Sequence, residues 1–340
     1  MNTTSLRGSI QSKAEAISEI ASLPPHSASD PPRILAGTSF ARNDILKEGV
    51  SFLRRHNVPD ADLSASSLLS YVLKQPRLSL QLNSAIQLTK VEEKEFESLL
   101  VKRATRYPLQ YLMKSLPFRN AILEIGETCL IPRPETELLV DVAMSRLGHD
   151  LEPLHILDLG TGSGNIAISM ALERPQWSFV ASDFSQEALW CAQRNSVLNQ
   201  VEDQIHFVCA DLLNGIHNRF DAIVSNPPYL KTQDLITAQR ELSFEPAMAL
   251  DGGEDGLNFY RRIIEQAKQV LKVGGFIFFE IGHDQTSAIT QLMSHEFESI
   301  EIIRDYAGCD RILLGRRVSH GSPTTVGGGH VNSSKVVGDG

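Results

Sequence analysis

A glycine-rich turn in the middle of the chain has the residue types and spacing of a ligand-binding loop. Residues 157–166 read Leu-Asp-Leu-Gly-Thr-Gly-Ser-Gly-Asn-Ile, so an apolar strand pattern leads through alternating glycines into a helix. Glycine permits tight turns and close approach of a ligand, whose polar groups can meet the free N–H groups at the helix start. The dinucleotide fingerprint would require glycine at Asn165, and the turn lacks the lysine of a P-loop. The predicted ligand contacts are Gly160, Thr161, Gly162, Ser163 and Gly164.

Acidic residues end the next two predicted strands. Asp183 follows Gly160 by 23 residues, where a carboxylate accepts hydrogen bonds from ribose hydroxyls in nucleotide-binding α/β folds. Asp211 ends the third strand in the same way. A glycine turn followed by these two carboxylates predicts a ligand that contains a ribose.

The stretch Ser-Asn-Pro-Pro-Tyr at 225–229 contains groups suited to holding a planar NH2 group. Two consecutive prolines have no N–H and keep the backbone extended, which leaves carbonyl oxygens as acceptors. Asn226 adds a side-chain carbonyl, and Tyr229 offers an aromatic face for stacking. Because the stretch follows an apolar strand pattern, we expect it at the carboxyl edge of the sheet, where open α/β sheets bind ligands. In isolation, the same residues would simply end a strand and supply a core tyrosine.

Alternating strand and helix patterns predict the scaffold that positions these residues. Strand patterns are found at 155–159, 178–182, 205–210, 220–225 and 275–281, and helical patterns at 185–198, 257–271 and 284–294. This alternation is typical of a doubly wound α/β fold with a parallel sheet and right-handed crossovers. The last two strand patterns, 299–304 and 311–314, are separated by too few residues for a crossover helix, so this pair is predicted to be antiparallel.

Four further segments are predicted outside the α/β domain, which is assigned to residues 135–317. Residues 1–38 and 318–340 lack the composition of a core and are expected to be flexible tails. Residues 39–114 carry helical patterns and are expected to form a small helical, substrate-recognition domain. Residues 115–134 form a linker, in which we expect a β-hairpin between residues 118 and 131 with its turn around Gly126.

Composition and charge exclude several classes of protein. With 340 residues, 42% hydrophobic and 21% charged, the chain can bury a sizeable core, which excludes a disordered or disulfide-stapled protein. No apolar run approaches the roughly 18 residues of a membrane span, and no histidine or cysteine spacing predicts a metal site. The net charge of −9 lacks the cationic surplus typical of nucleic-acid-binding proteins. Since no apolar signal region is present, we expect a cytoplasmic location, while organelle targeting by residues 1–38 stays open.

Residues 157–164, Asp183 and residues 226–229 resemble class I S-adenosylmethionine-dependent methyltransferases that act on amino or amide nitrogens. Three further stretches resemble the HemK/PrmC family of peptide-chain release factor glutamine N5-methyltransferases. They read Arg-Tyr-Pro-Leu-Gln-Tyr-Leu at 106–112, Leu-Ile-Pro-Arg-Pro-Glu-Thr-Glu-Leu-Leu at 130–139, and Glu-Pro-Ala-Met-Ala-Leu-Asp-Gly-Gly-Glu-Asp-Gly-Leu at 245–257. The resemblance covers residues 45–317 and implies a helical domain, a hairpin linker and a seven-stranded Rossmann-like sheet.

The resemblance also implies roles for individual residues. S-adenosylmethionine would be the cofactor, bound by the glycine turn together with Asp183, Asp211, Leu212 and Asn226. The target amide would be bound and methylated at Asn226, Pro227, Pro228 and Tyr229. Arg133, Glu135 and Glu137 would shape the substrate entrance, although a charged helix start with Pro134 in its first turn explains them equally well.

The substrate implied by the resemblance is a glutamine in a class 1 peptide-chain release factor. The enzyme is expected to be a monomer that binds neither nucleic acid nor membranes. Two alternatives stay open from the motifs alone: an adenine-N6 or guanine-N2 methyltransferase of RNA or DNA, and a cofactor-binding scaffold without activity. The intact motifs at 160–164 and 226–229 argue against the scaffold, and the net charge argues against nucleic acid.

Overall fold

The computed structural model describes residues 42–82, 87–148 and 152–318, and the chain divides into two compact units between Leu112 and Met113. The segments predicted to be tails, 1–38 and 318–340, lie outside the described residues except for Val318. Within the described ranges, no helix is long and apolar enough to span a lipid bilayer.

Helices form the first unit, as their sequence patterns predicted. They are α1 (Arg42–Arg55), α2 (Ala61–Leu73), α3 (Arg77–Leu82), α4 (Lys90–Ala104) and the short α5 (Leu109–Met113), which ends at the boundary between the units. A capping box starts α4, because the Thr89 hydroxyl accepts from the Glu92 N–H while the Glu92 carboxylate accepts from the Thr89 N–H. Phe96 and Leu100 of α4 are fully buried. Gly49 of α1 lies against both, since a Cβ at this position would come within 3.1 Å of Phe96 and 3.2 Å of Leu100.

A hairpin and a seven-stranded sheet form the second unit. The hairpin strands are β1 (Ser115–Phe118) and β2 (Ala121–Glu124). The sheet contains β3 (His155–Leu159), β4 (Ser178–Asp183), β5 (Ile205–Cys209), β6 (Phe220–Ser225), β7 (Leu271–Glu280), β8 (Phe297–Arg304) and β9 (Asp310–Arg317). The helices are α6 (Pro134–Leu147), α7 (Asn165–Glu173), α8 (Gln186–Leu198), α9 (Asp234–Thr237), α10 (Asn258–Val270) and α11 (Thr286–Met293).

The strand order β5-β4-β3-β6-β7-β9-β8 confirms the predicted doubly wound sheet. The first five strands in this order are parallel, and β9 pairs antiparallel with both β7 and β8, as expected for the C-terminal pair. Residues of β3 and β6 such as Leu157 and Ile223 are fully buried, in keeping with parallel strands covered on both faces. The strand order reverses between β3 and β6, so a crevice is expected at their carboxyl ends.

Strand β7 starts earlier than its sequence pattern indicated. The helix was predicted to continue to Leu271 and the strand to begin at Gly275, whereas α10 ends at Val270 and β7 begins at Leu271. The extension pairs Leu271 with Phe220 before an irregularity, after which regular pairing resumes. Gly274 has a φ of +77°, which accounts for the irregular backbone at this point.

The prediction for the hairpin register is wrong. Phe118 lies opposite Ala121, so the turn is formed by residues 119–120 and not by residues around Gly126. Residues 129–131, predicted as the second strand, form no strand.

Contacts from two remote helices explain why the turn lies at Arg119. Its φ is +50°, and its backbone N–H donates to Glu137 Oε1 at 3.0 Å. Its guanidinium forms ion pairs with Asp141 of α6 and with Glu173 of α7. These partners follow the turn by at least 18 residues, so the local pattern did not reveal them.

Side-chain amides from the last turn and the C-cap of α8 satisfy the free edge of β2. Asn199 accepts from the Ile122 N–H at 3.1 Å and donates to the Ile122 carbonyl at 2.8 Å. The fully buried Asn195 does the same for Glu124, at 2.7 and 2.9 Å. Asn195 also donates to the carbonyl of Ser163 at 2.9 Å. Two asparagines one helical turn apart therefore attach the hairpin to the α/β domain and to its glycine turn.

We expect Asn195→Ala to lower the free energy of unfolding by about 2–3 kcal/mol, because the variant loses the hydrogen bonds of the buried Asn195 amide to the Ser163 carbonyl and to the part-buried backbone groups of Glu124. Asn199→Ala, at a more exposed position, should cost about 1 kcal/mol or less. Urea denaturation of the two variants checks this. Equal losses would mean that the buried amide does not anchor the hairpin.

Candidate active site

A cavity of about 500 Å³ opens at the carboxyl ends of β3, β4 and β6, within the size range of small-molecule sites. Of the residues predicted from the sequence, its wall contains Gly160, Gly162, Asp183, Asp211, Leu212, Asn226, Pro227 and Pro228. Six other predicted residues do not line it, and these are Thr161, Ser163, Gly164, Tyr229, Arg133 and Glu135. The sheet therefore brings the glycine turn and the Asn-Pro-Pro sequence to one cavity.

The glycine turn presents its bare backbone to this cavity. The N–H groups of Gly160 and Thr161 both donate to the carbonyl of Ser182, which fixes the turn on the end of β4. Gly160 and Gly162 have φ values of +76° and +55°, which disfavour other residues. A Cβ at either position would meet no protein atom within 4 Å, so the turn leaves open space for a ligand.

The remaining residues of the turn support it from behind. Gly164 has a φ of +84°, and a Cβ there would lie 2.8 Å from the Ile168 side chain, so this glycine permits close packing of α7. Thr161 donates to Asp158 at 2.6 Å, and the Ala167 N–H donates to the same oxygen at 3.0 Å. Burial raises the pKa of Asp158 to about 7, while these two hydrogen bonds favour its carboxylate.

Asp183 links the glycine turn to the start of α8. Its two carboxylate oxygens accept from the Gly162 N–H at 2.9 Å and the Ser185 N–H at 2.8 Å. Burial raises the pKa of Asp183, and its backbone hydrogen bonds oppose that shift. A carboxylate oxygen carries more than one lone pair, so Asp183 retains acceptor capacity toward the cavity.

Asp211 already has a cationic partner. Arg262 of α10 donates to both of its carboxylate oxygens, at 2.8 and 2.7 Å. Both residues line the cavity, beside Leu212, Phe259 and Ile263. The ion pair has little net charge, and its planar guanidinium lies beside apolar side chains. This environment suits a purine ring.

Asn226 follows the last residue of β6 and is oriented by a neighbouring helix. Its Nδ2 donates to the Thr136 hydroxyl of α6 at 3.1 Å, and Thr136 donates to Glu280 at 2.7 Å. With the NH2 end so engaged, the Asn226 carbonyl oxygen is available as an acceptor. Asn226, Pro227 and Pro228 line the same cavity as the glycine turn.

Tyr229 lies next to this cavity, toward the end of β7. Its hydroxyl donates to Glu280 at 3.4 Å, and its carbonyl accepts from Gln285 at 3.0 Å. Burial raises the pKa of Tyr229, so the phenol stays protonated. Gly256 is required here, because a Cβ would lie 2.5 Å from the Tyr229 carbonyl.

Arg133 has a clear structural partner. It forms an ion pair of 2.6 Å with the buried Glu245, whose other oxygen accepts from the Ile131 N–H at 3.0 Å. Glu245 begins the stretch 245–257 and Arg133 lies in the stretch 130–139, so the pair joins two of the sequence motifs. Pro134 occupies the first turn of α6, as predicted, and Glu135 of this turn is half-buried.

Sequence reasoning missed three residues with polar contacts around the site. Thr136 accepts from Asn226 and donates to Glu280, and Glu245 forms an ion pair with Arg133. A signal for Glu280 was present, since it is an acidic residue that ends an apolar strand, as Asp183 does. Thr136 lies in the recognised stretch 130–139, but its position in the sequence did not indicate a contact with Asn226 or Glu280.

Comparisons with known proteins found family models and relatives that together cover most of the chain. The family model "PrmC N-terminal domain" matches residues 44–113, and "Methyltransferase small domain" matches residues 135–253. The chain is 37% identical over 259 residues to a release factor glutamine methyltransferase of Thermodesulfovibrio yellowstonii, covering 74% of this chain and 90% of the relative. The chain belongs to the release factor glutamine methyltransferase family. Others of this name are 37% identical in Coxiella burnetii, covering 75% and 91%, and 35% identical in Escherichia coli, covering 80% and 97%.

As a member of this family, the chain is an S-adenosylmethionine-dependent methyltransferase, and the cavity fits that cofactor. The open space above Gly160 and Gly162 admits a ligand close to the backbone. The Asp183 carboxylate can accept from ribose hydroxyls, and Leu212 offers an apolar face to adenine. We propose these residues as the cofactor contacts, with Asp211 acting through its pair with Arg262.

We expect Asp183→Ala to weaken binding of S-adenosylhomocysteine by about 1–3 kcal/mol, because the variant loses an acceptor and releases the Gly162 N–H. Calorimetry with this variant measures the loss. Asp203→Ala, at an exposed acidic position after α8, is the matched control and should bind as the wild type does. Equal affinity of both variants would remove Asp183 from the cofactor site.

Proposed function

We propose that this enzyme transfers the methyl group of S-adenosylmethionine to the side-chain amide nitrogen of a glutamine in a class 1 peptide-chain release factor. The single observation that carries the proposal is that one cavity contains both the bare glycine turn and the Asn226–Pro228 acceptors. Family relatives named release factor glutamine methyltransferase, alike over about three quarters of this chain or more, support the choice of substrate.

The chemical difficulty of the reaction lies in the nucleophile. An amide nitrogen is a poor nucleophile, because its lone pair is delocalised into the carbonyl group. The cofactor supplies an activated methyl group on a sulfonium, so the protein mainly orients the two reactants. The task of this chain is therefore to hold a planar NH2 group with its nitrogen facing the methyl group.

Asn226 and Pro227 supply the acceptors for this task. The Asn226 side-chain carbonyl and the Pro227 backbone carbonyl would accept the two N–H groups of the target amide. Partial positive charge develops on the nitrogen as it is methylated, and hydrogen bonds to these two oxygens strengthen as that charge grows. Tyr229 borders the site and would cover one face of the amide, while Pro228 keeps the backbone extended.

Proton removal requires no strong base in this scheme. A methylated amide nitrogen that still carries its extra proton is a strong acid, so the proton leaves after the transfer. The carbonyl oxygens of Asn226 and Pro227 accept a hydrogen bond from this proton, which can then pass to water.

A folded release factor would present its glutamine while contacting the enzyme elsewhere. We propose that the helical unit, which matches the PrmC N-terminal domain at residues 44–113, supplies this remote contact. Binding energy from a remote surface can be used to hold the amide near the methyl group. Arg133 and Glu135 are proposed to border the entrance for the glutamine.

We expect Asn226→Ala to lower the single-turnover methylation rate by roughly 10²–10³-fold, the scale of one lost transition-state hydrogen bond. Affinity for S-adenosylhomocysteine should change much less, because Asn226 is proposed to face the target amide. Asn218→Ala, at an exposed position before β6, is the control and should retain the wild-type rate. A rate within a factor of a few of wild type would reject the orienting role.

We expect methyl transfer to intact release factor to exceed transfer to a short glutamine peptide by at least about tenfold in kcat/KM, since only the intact protein can use a remote contact. Mass spectrometry of both products should locate the methyl group on the glutamine side chain. RNA and DNA are tested in parallel. Efficient methylation of nucleic acid with none of release factor would overturn the proposed function.

A further inference from the structure

A buried carboxyl group lies behind the proposed catalytic asparagine. Glu280, the last residue of β7, is 1% exposed and receives hydrogen bonds from two side chains. The Thr136 hydroxyl of α6 donates to its Oε2 at 2.7 Å, and the Tyr229 hydroxyl donates to its Oε1 at 3.4 Å. Thr136 in turn accepts from Asn226 Nδ2 at 3.1 Å. The four side chains form one continuous chain of hydrogen bonds that ends in the cavity.

The direction of these hydrogen bonds follows from the number of protons available. A threonine hydroxyl has one proton, and when it is donated to Glu280 only lone pairs are left for Asn226. Asn226 must then turn its NH2 group toward Thr136, which directs its carbonyl oxygen away from Thr136. Protonated Glu280 could instead donate to the Thr136 oxygen. The hydroxyl proton would then be free for the Asn226 carbonyl, and the carboxamide could rotate by half a turn.

The two orientations of Asn226 have opposite consequences for a target amide. A glutamine NH2 group is a donor, so it is held by an acceptor and repelled by another NH2 group. Only the orientation with the carbonyl oxygen toward the cavity can align the substrate nitrogen and stabilise its developing positive charge. The protonation state of Glu280, two hydrogen bonds away, therefore decides which end of the Asn226 carboxamide faces the substrate.

We propose that Glu280 is a positioning residue whose carboxylate, acting through Thr136, holds the Asn226 carbonyl oxygen toward the target amide, and whose protonation abolishes that alignment. The inference rests on the proposed function, because it requires an amide or amino group as the acceptor of the methyl group. Glu280 contacts neither substrate nor cofactor in this scheme.

The surroundings of Glu280 make its proton uptake relevant near neutral pH. Burial raises the pKa of Glu280 to about 7, and it outweighs the opposing effects of the Thr136 hydrogen bond and the positive charge of Arg311 on β9. Glu135 of α6 raises the pKa further, and the Tyr229 hydroxyl lowers it. On α10, the Tyr260 hydroxyl donates to the main-chain carbonyl of Glu280 at 2.7 Å. The carboxylate therefore predominates above about pH 7 and the neutral acid below it.

The pH dependence of the rate follows from this sign. The aligned state needs the carboxylate, so the single-turnover rate of the wild type should be constant above about pH 7 and fall by up to tenfold per pH unit below it. Asp158 has a pKa in the same range, but it supports the cofactor turn. Its titration should act on cofactor affinity, so the rates are measured at saturating S-adenosylmethionine.

The test compares Glu280→Gln with wild type, using the full chain and intact release factor from about pH 5.5 to about pH 9. A neutral glutamine does not titrate, so the fall below pH 7 should disappear while the plateau rate drops by roughly tenfold or more. If the rate of Glu280→Gln still fell below pH 7 as that of the wild type does, the inference would be overturned.

Variants of Thr136 test the same chain of hydrogen bonds while leaving the Glu280 carboxyl group in place. Thr136→Val removes the hydroxyl and should lower the rate by about tenfold or more, whereas Thr136→Ser keeps it and should recover most of that loss. Thr290→Val of α11, a hydroxyl with no hydrogen-bond partner among the described residues, is the matched control and should leave the rate unchanged. The double variant with Glu280→Gln should lose little more than Thr136→Val alone, since both act through one path. Additive losses would contradict the inference.

Two further readouts separate the inference from its alternatives. If Glu280 had only a structural role, Glu280→Gln would lower the melting temperature. The variant enzyme that remains folded would then show the wild-type dependence of methylation rate on pH. Affinity for S-adenosylhomocysteine, measured across the same pH range, should be alike in wild type and Glu280→Gln. If release factor is methylated but the fall in rate at low pH does not depend on Glu280, this inference alone is overturned. If the wild type methylates no release factor at any pH, the proposed function is overturned as well.

Discussion

The orientation of one carboxamide is the constraint on which the rest of the site depends. Asn226 can present either an oxygen or an NH2 group to the cavity, and only the oxygen can hold a target amide. Its hydrogen bond to Thr136 settles that choice, and Thr136 is in turn oriented by Glu280. These three residues come from the end of β6, the first turn of α6 and the end of β7. The sheet order, which places β6 between β3 and β7, therefore serves to assemble one polar contact beside the glycine turn.

The stretch at 130–139 is the structural connection between the parts of the catalytic unit. Arg133 pairs with Glu245 of the loop before α10, Thr136 contacts both Asn226 and Glu280, and Glu137 accepts from the turn of the hairpin at Arg119. One helix start thus fixes a loop, the end of the sheet and the linker. The specific residue types of this motif are explained by these contacts, and its charges largely serve partners within the chain.

Much of this organisation could be predicted from sequence because it depends on local patterns. Alternating apolar strands and helices gave the doubly wound sheet, and the short gap before the last strand gave its antiparallel end. The glycine turn and the Asn226–Pro228 sequence were found because each has its chemistry in consecutive residues. The hairpin turn was predicted around Gly126 because glycine is common in turns. The actual turn lies at Arg119, whose positive φ is stabilised by carboxylates that are distant in sequence. Glu280 was missed because its contact with Thr136 joins residues 144 positions apart.

The central claim is that the Asn226 oxygen and the Pro227 carbonyl hold the target nitrogen. A high-resolution crystal structure of the enzyme with S-adenosylhomocysteine and a release factor bound through its glutamine tests it most directly. The account predicts that the glutamine nitrogen lies within hydrogen-bonding distance, roughly 2.7–3.2 Å, of both oxygens, with Asn226 Nδ2 still donating to Thr136. A glutamine whose carbonyl oxygen faces Asn226, or an Asn226 that has turned its NH2 group toward the substrate, would contradict it.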